Sequence, residues 1–164
     1  MYIIKLFFFF SFVGFIFEKI VEFFPEMEFQ SGFLNGPWIP IYGFGVLIIL
    51  GISKFLKDKN LTRKKEIILF FIISTILITI LEFIGGHLVY FITGEHFWDY
   101  SWTRFNFGRY ISLEISLLWG ILVTILNYLI YPKIKNFIER IPNYIIYILM
   151  IGFIIDLIFT LINA

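Results

Sequence analysis

Seven ionisable side chains sit inside otherwise apolar stretches: Glu18, Lys19, Glu22, Glu82, His87, Glu114 and Asp156. Each costs several kcal/mol in lipid unless it faces a protein interior or water, so each needs a partner. Carboxyl groups gathered there can hold a cation, share a proton or grip an arginine. Counted at about 1.5 Å per helical residue, Glu18, Glu82 and Asp156 all fall past the midplane, on the side away from the lysines. Glu114 falls about one turn from the outer end of its stretch. The same side holds Arg104 and Arg109. Arg109 is expected to reach down to Glu18 and Glu82 and complete a polar centre, as a binding site or only as a device that fixes helix packing. Asp99 and Arg109 have opposite charge and are expected to close a lid over that centre or to staple the loop. Lys19 is expected to snorkel outward or to pair with Glu22, three residues on.

Other chemistries find little support. There is no cysteine, which excludes disulfides, thiolate metal sites and thiol nucleophiles. His87 stands alone, without an ExxH-type partner, so no metal is expected, and no cofactor. Glu82, His87, His96 and Asp99 could supply acid and base groups, but no nucleophile–base pair has recognisable spacing. No catalytic residue is assigned.

The elements that position these groups are membrane helices. The chain has 164 residues, is 60% hydrophobic and only 15% charged, with a mean hydropathy of +0.91. A soluble domain of this size needs far more polar surface. A bilayer core takes about 20 apolar residues per helix, and the sequence predicts five spans, at 3–24, 38–55, 66–92, 110–131 and 144–162. The start of the second, with Pro37, Trp38, Ile39 and Pro40, reads as unwound or re-entrant. Lysines and arginines collect between spans two and three (Lys54, Lys57, Lys59, Arg63, Lys64, Lys65) and between four and five (Lys133, Lys135, Arg140). By the positive-inside rule the N-terminus is cytoplasmic and the C-terminus outside. The expected fold is all-α: one multi-pass helical bundle over 1–164, in the inner (plasma) membrane. The net charge of +1 and the lack of a basic face argue against a nucleic-acid partner. The aromatic loop 96–110 reads as an interfacial belt.

Helical spacing sorts the faces. Ser11, Gly14, Glu18 and Glu22 make one small-and-polar stripe, and Thr75, Thr79, Glu82 and Gly86 a second. Ser112, Ser116, Gly120, Thr124 and Asn127 make a third, with Gly152 and Asp156 a fourth. Small residues on such stripes let helices approach closely. His87 and Glu114 point well away from their stripes, toward a bend at Gly85–Gly86 or toward another interface.

Five blocks occur in order: GFIFE (14–18), GFLNGPWIPIYGFG (32–45), LEF (81–83), WDYS (98–101) and NFGRYISLEISLLWG (106–120). Together they resemble the ABC-transporter type IV (CmpB-type) permease family of small bacterial membrane proteins. The resemblance covers about 8–140 and leaves span five as an extension. The blocks add Tyr42, Trp98, Tyr100 and Asn106 to Glu18, Glu82, Asp99, Arg109, Glu114 and Asp156 as candidate ligand- or ion-binding residues. Ser31 stands where the family pattern has a basic residue, which places any anion binding by that position in doubt. The resemblance implies a membrane permease without naming a substrate. No GxxxxGK[ST] loop is present, so the chain cannot hydrolyse ATP by itself. A separate ATPase subunit would be needed, and only the short basic loop 54–65 is offered to one. Five short helices enclose little volume, so a homo-oligomer or other membrane subunits are expected. The functional expectation is transport of a small polar solute or ion. The alternatives are a non-transporting assembly or accessory protein and a membrane-embedded enzyme acting on lipid or envelope material.

Overall fold

The computed structural model describes residues 1–22 and 32–163; the expected outer loop near Glu28, Ser31 and the end of the first span lie outside them. Six α-helices follow in order: α1 (Tyr2–Val21), α2 (Pro40–Lys57), α3 (Arg63–Thr93), α4 (Leu113–Ile125), α5 (Tyr131–Arg140) and α6 (Asn143–Asn163). A two-residue antiparallel pair, β1 (Asn106–Phe107) and β2 (Ile111–Ser112), precedes α4. The fold is the all-α bundle expected, with this small hairpin added. α2, α3, the α4–α5 run and α6 are each long and apolar enough to cross a membrane. α1 has 20 residues, and the five-span reading turns on its ionisable groups Lys5, Glu18 and Lys19. Lys5 and Glu18 are buried, while Phe12, Val13, Ile16, Phe17 and Ile20 are exposed. The outward face of α1 is therefore apolar.

Span two starts where the chemistry allows a helix to start. Pro40 takes a first-turn position, where its missing N–H is not needed. Residues 32–39 before it are non-helical. Their backbone is still satisfied: Ile39 donates to the Ser11 carbonyl at 3.0 Å and Trp38 to Gly36 at 2.8 Å. α3 ends at Gly94, whose φ of 72° suits glycine and little else.

The fourth span differs most from expectation. It continues as helix from Leu113 to Arg140, 28 residues, instead of stopping near 131. Pro132 lacks an N–H and crowds the carbonyl four residues back. The chain relieves this with one π turn, Leu126–Ile130, immediately before it. The charged run expected to be a loop is α5, with Ile138 fully buried and Lys133, Lys135, Glu139 and Arg140 outward. Buried Lys5 donates to the Glu139 carbonyl at 2.9 Å, in the last turn of α5, where a cation is favoured. Tyr2 and Tyr131 share a hydrogen bond of 3.0 Å. The buried core of Leu6, Phe10, Val46, Ile49, Phe70 and Ile138 joins α1, α2, α3 and α5 at this end.

Small residues set the helix spacing. A Cβ on Gly120 would strike the Thr75 hydroxyl and the Phe71 ring, so α3 and α4 can approach only because position 120 has none. Gly51 has nothing within 4 Å. Gly120→Val should therefore destabilise by about 1–3 kcal/mol, seen as a lower melting temperature in mild detergent. Gly51→Ala should leave it equal or higher, since alanine is the better helix former.

Candidate functional site

Glu82 is a buried acid with two side-chain donors on one oxygen. It is 7% exposed, and its Oε1 accepts from the Tyr100 hydroxyl at 3.0 Å and from Trp119 Nε1 at 2.8 Å. Three elements thus meet on one oxygen: α3, the loop after it and α4. Oε2 of the same carboxyl has no hydrogen-bond partner among the described residues.

Glu18, 6% exposed, stands across the bundle on α1. Tyr42 and the backbone of Gly32 lie beside it. Tyr42 can lie over α1 because Gly14 is bare; a Cβ there would fall inside the ring. Glu18 and Glu82 line one cavity of about 310 Å³, with Tyr42, Trp98, Tyr100 and Trp119. Among the described residues the rest of its wall is apolar and no basic side chain lines it. Trp98 Nε1 is buried without a hydrogen-bond partner among the described residues.

The WDYS block now has a geometry. Trp98 and Tyr100 turn into the bundle, while Asp99 accepts from Ser101 N at 2.8 Å and holds the turn outside. Tyr100 N donates to the Arg109 carbonyl at 2.7 Å, and the Thr103 hydroxyl to the Tyr100 carbonyl at 2.9 Å. Tyr100 is fixed from both sides before it reaches Glu82.

Arg109 does not join the glutamates. Its Nε lies 3.0 Å from Asp99 Oδ2, and it is absent from the cavity wall. The nearer charge wins, because Asp99 shares its loop and the guanidinium stays half in solvent. Burial pushes the Asp99 carboxyl up, but hydrogen bonds from Ser101 and the Arg109 charge outweigh it and hold it below the usual range.

Three more candidates sit elsewhere. Asp156 lies outside the cavity: its carboxyl accepts from Asn35 N (3.2 Å), Asn35 Nδ2 (3.1 Å), Gly36 N (2.9 Å) and Trp38 Nε1 (2.7 Å). It pins the non-helical segment to α6. Glu114 accepts from Phe105 N at 3.1 Å and Ser112 Oγ at 2.9 Å, tying the hairpin to the start of α4. Its displacement from the inward stripe follows from that. Asn106 donates to the Gly108 carbonyl at 3.2 Å and closes the hairpin turn. His87 bonds to the Phe83 carbonyl one turn back, at 2.8 Å. Lys19 pairs with Glu22 at 2.9 Å, as its spacing suggested.

Trp119 escaped the sequence reading. Tryptophans prefer the membrane interface, so one seven residues into a membrane helix (Leu113–Ile125) is itself a signal for a buried acceptor. Trp119→Phe and Tyr100→Phe should each cost about 1.5–3 kcal/mol of stability, the range for hydrogen bonds to charged groups. Since both donate to one oxygen, the double variant should depart from the sum by about 0.5 kcal/mol or more, measured by unfolding in mild detergent.

No curated protein and no solved structure matches this chain. One family model does, over residues 5–161, a stretch that takes in α6 as well as the five sequence blocks. With nearly its whole length matched, the chain belongs to the family described as "Putative ABC-transporter type IV".

Proposed function

We propose that the protein is a transport component of the plasma membrane that binds its ligand in the cavity between Glu18 and Glu82. One observation carries this. Two carboxyl groups, each less than a tenth exposed, share an apolar cavity that no basic side chain lines. Buried carboxylates without a counter-charge are costly. A cation or a proton belongs beside them, and a group that binds and releases cations inside a membrane bundle suits transport. Family membership supports the same reading. Trp98, Tyr100 and Tyr42 complete the binding wall; Asp99, Arg109, Asn106, Glu114 and Asp156 serve it by holding the loop and the segment 32–39 in place.

The surface of α6 fits partners within the bilayer. Of its residues only Ile146 is buried, which leaves an apolar helix for lipid, a second copy or another membrane subunit. Energy for any uphill step must come from an ion gradient or from a separate ATPase subunit, because the chain has no phosphate-binding loop.

The lysine pattern sets the proposed orientation, N-terminus cytoplasmic and C-terminus outside. Cysteines placed singly at Lys59 and Arg104 in this cysteine-free chain should label from opposite faces with an impermeant thiol reagent. Labelling of both from one face would refute the orientation.

The binding centre has its own test. Ammonium, tetramethylammonium, sodium and potassium are screened for thermal stabilisation of the purified protein. A ligand at 100 times its Kd stabilises by about 2.7 kcal/mol. Glu18→Gln and Glu82→Gln keep an acceptor oxygen, so they should fold near-normally and lose that stabilisation. A lower melting temperature with the stabilisation intact would make the glutamates packing devices only.

A further inference from the structure

The cavity has a polar end, an apolar end and a side opening. Along α1 its wall runs from Phe10 to Glu18, along α2 from Ile41 to Ile49, and along α4 and the π turn from Trp119 to Ile130. Eight helical residues span about 12 Å. All its polar groups gather at the end beneath the outer loop. Toward the other end it is lined by Phe10, Ile49, Leu126 and Ile130, and has no polar group.

The opening faces lipid. α1 packs on α2, α5 and α6, and α4 packs on α3, so a seam remains between α1 and α4. Four residues line the cavity and are also exposed on the outside: Val13 (40%) and Phe17 (40%) from α1, Leu122 (37%) and Ile130 (43%) from the other side. The seam is bridged near the polar end by the Phe17 and Trp119 rings, 5.9 Å apart. Below that bridge an apolar mouth opens sideways at the level of the hydrocarbon core.

We propose that this cavity takes an amphiphile from the bilayer, a long-chain amine with an oxygen acceptor near its nitrogen. The reading deepens the proposed function and rests on it. The chain passes the mouth and fills the apolar end. The ammonium head reaches the free Oε2 of Glu82 and the Glu18 carboxyl. Around it Phe17, Tyr42 and Trp119 form a connected ring cluster, with Tyr42 and Trp119 5.9 Å apart, a setting that attracts cations. The oxygen accepts from Trp98 Nε1, the buried donor without a partner. A fully hydrated small ion would leave the apolar two-thirds of the wall with no use; a fatty acid would bring a carboxylate to two carboxyl groups.

The test reads tryptophan fluorescence in nanodiscs, with Trp102→Phe as background because Trp102 is 65% exposed and outside the cavity. Brominated probes of equal chain length are compared: a 2-amino-alcohol, a simple alcohol and a fatty acid. The amino-alcohol should quench saturably, at least tenfold more tightly than the other two. Glu82→Gln should weaken that quenching at least tenfold. Val13→Phe and Leu122→Phe change lipid-facing mouth residues without touching the buried core, and each should abolish the saturable part while the protein still elutes as a folded species. Equal quenching by all three probes means membrane partitioning only and overturns the proposal. Saturable quenching that survives both mouth variants puts the site elsewhere and also overturns it. Stabilisation by tetramethylammonium or ammonium without saturable quenching by the amino-alcohol would leave the binding centre standing and end the amphiphile reading. If no probe binds in either assay, both fail together.

Discussion

In lipid no bulk water solvates a carboxyl group, so Glu82 depends on what the chain itself brings to it. It sits well along a helix of 31 residues, far from either end. Two donors reach it, one from the neighbouring helix and one from a loop that must fold back into the bundle. Much of this end of the bundle follows from that demand. The hairpin β1–β2, the Asp99–Arg109 pair and the turn at Ser101 all serve to hold Tyr100 in place. Gly86 serves it too, because a Cβ there would meet the Tyr110 ring that closes the same loop against α3.

The opposite end of the bundle meets the same constraint in another way. Lys5 and Glu66 are buried charges, and each finds a partner at a helix end: Lys5 at a last-turn carbonyl, Glu66 at the Tyr128 hydroxyl (3.0 Å) beside Arg63 (3.5 Å). These contacts hold α5 and the π turn against α1 and α3. Around the cavity, by contrast, Glu82 Oε2 and Trp98 Nε1 have no hydrogen-bond partner among the described residues; the buried Ser11 and Ser116 hydroxyls are open as well.

Much of this was legible in the sequence, and the failures have physical causes. Runs of about 20 apolar residues read directly as helices because lipid permits few other structures. The small-residue spacing found the buried positions of α1 and α4, at Ser11, Gly14, Glu18, Ser116 and Gly120, but not that of α6, where Ile146 and not Gly152 or Asp156 is buried; Glu18 and Glu82 line one cavity. Periodicity gives a side chain's direction around its own helix but not the neighbour on that side. Asp156 was placed with the other acids for that reason, although α6 packs on the outside of α1 and turns it toward the segment 32–39. Arg109 was given long reach where a nearer carboxylate was available ten residues away. The run 131–140 looked like a loop because its charges were read and the spacing of Ile134 and Ile138 was not. That i, i+4 apolar pair is the mark of a helix lying one face down.

The segment 32–39 links these observations. Pro37 and two glycines interrupt it and keep it from being a helix, yet it lies where unsatisfied backbone is expensive. α6 answers that cost with one carboxylate taking two backbone N–H groups, an amide and an indole. From there Ile39 leads into α2, whose first turn carries Tyr42 to Glu18. Asp156 thus acts on the cavity without lining it: it fixes the start of α2, and so the position of Tyr42. A stretch that the sequence marks as broken is held firm by a helix whose own surface is otherwise given almost wholly to lipid. α6, the helix farthest in sequence from the two glutamates, thus shares with α1, whose Ser11 carbonyl takes the Ile39 N–H, the anchoring of the chain that leads into α2.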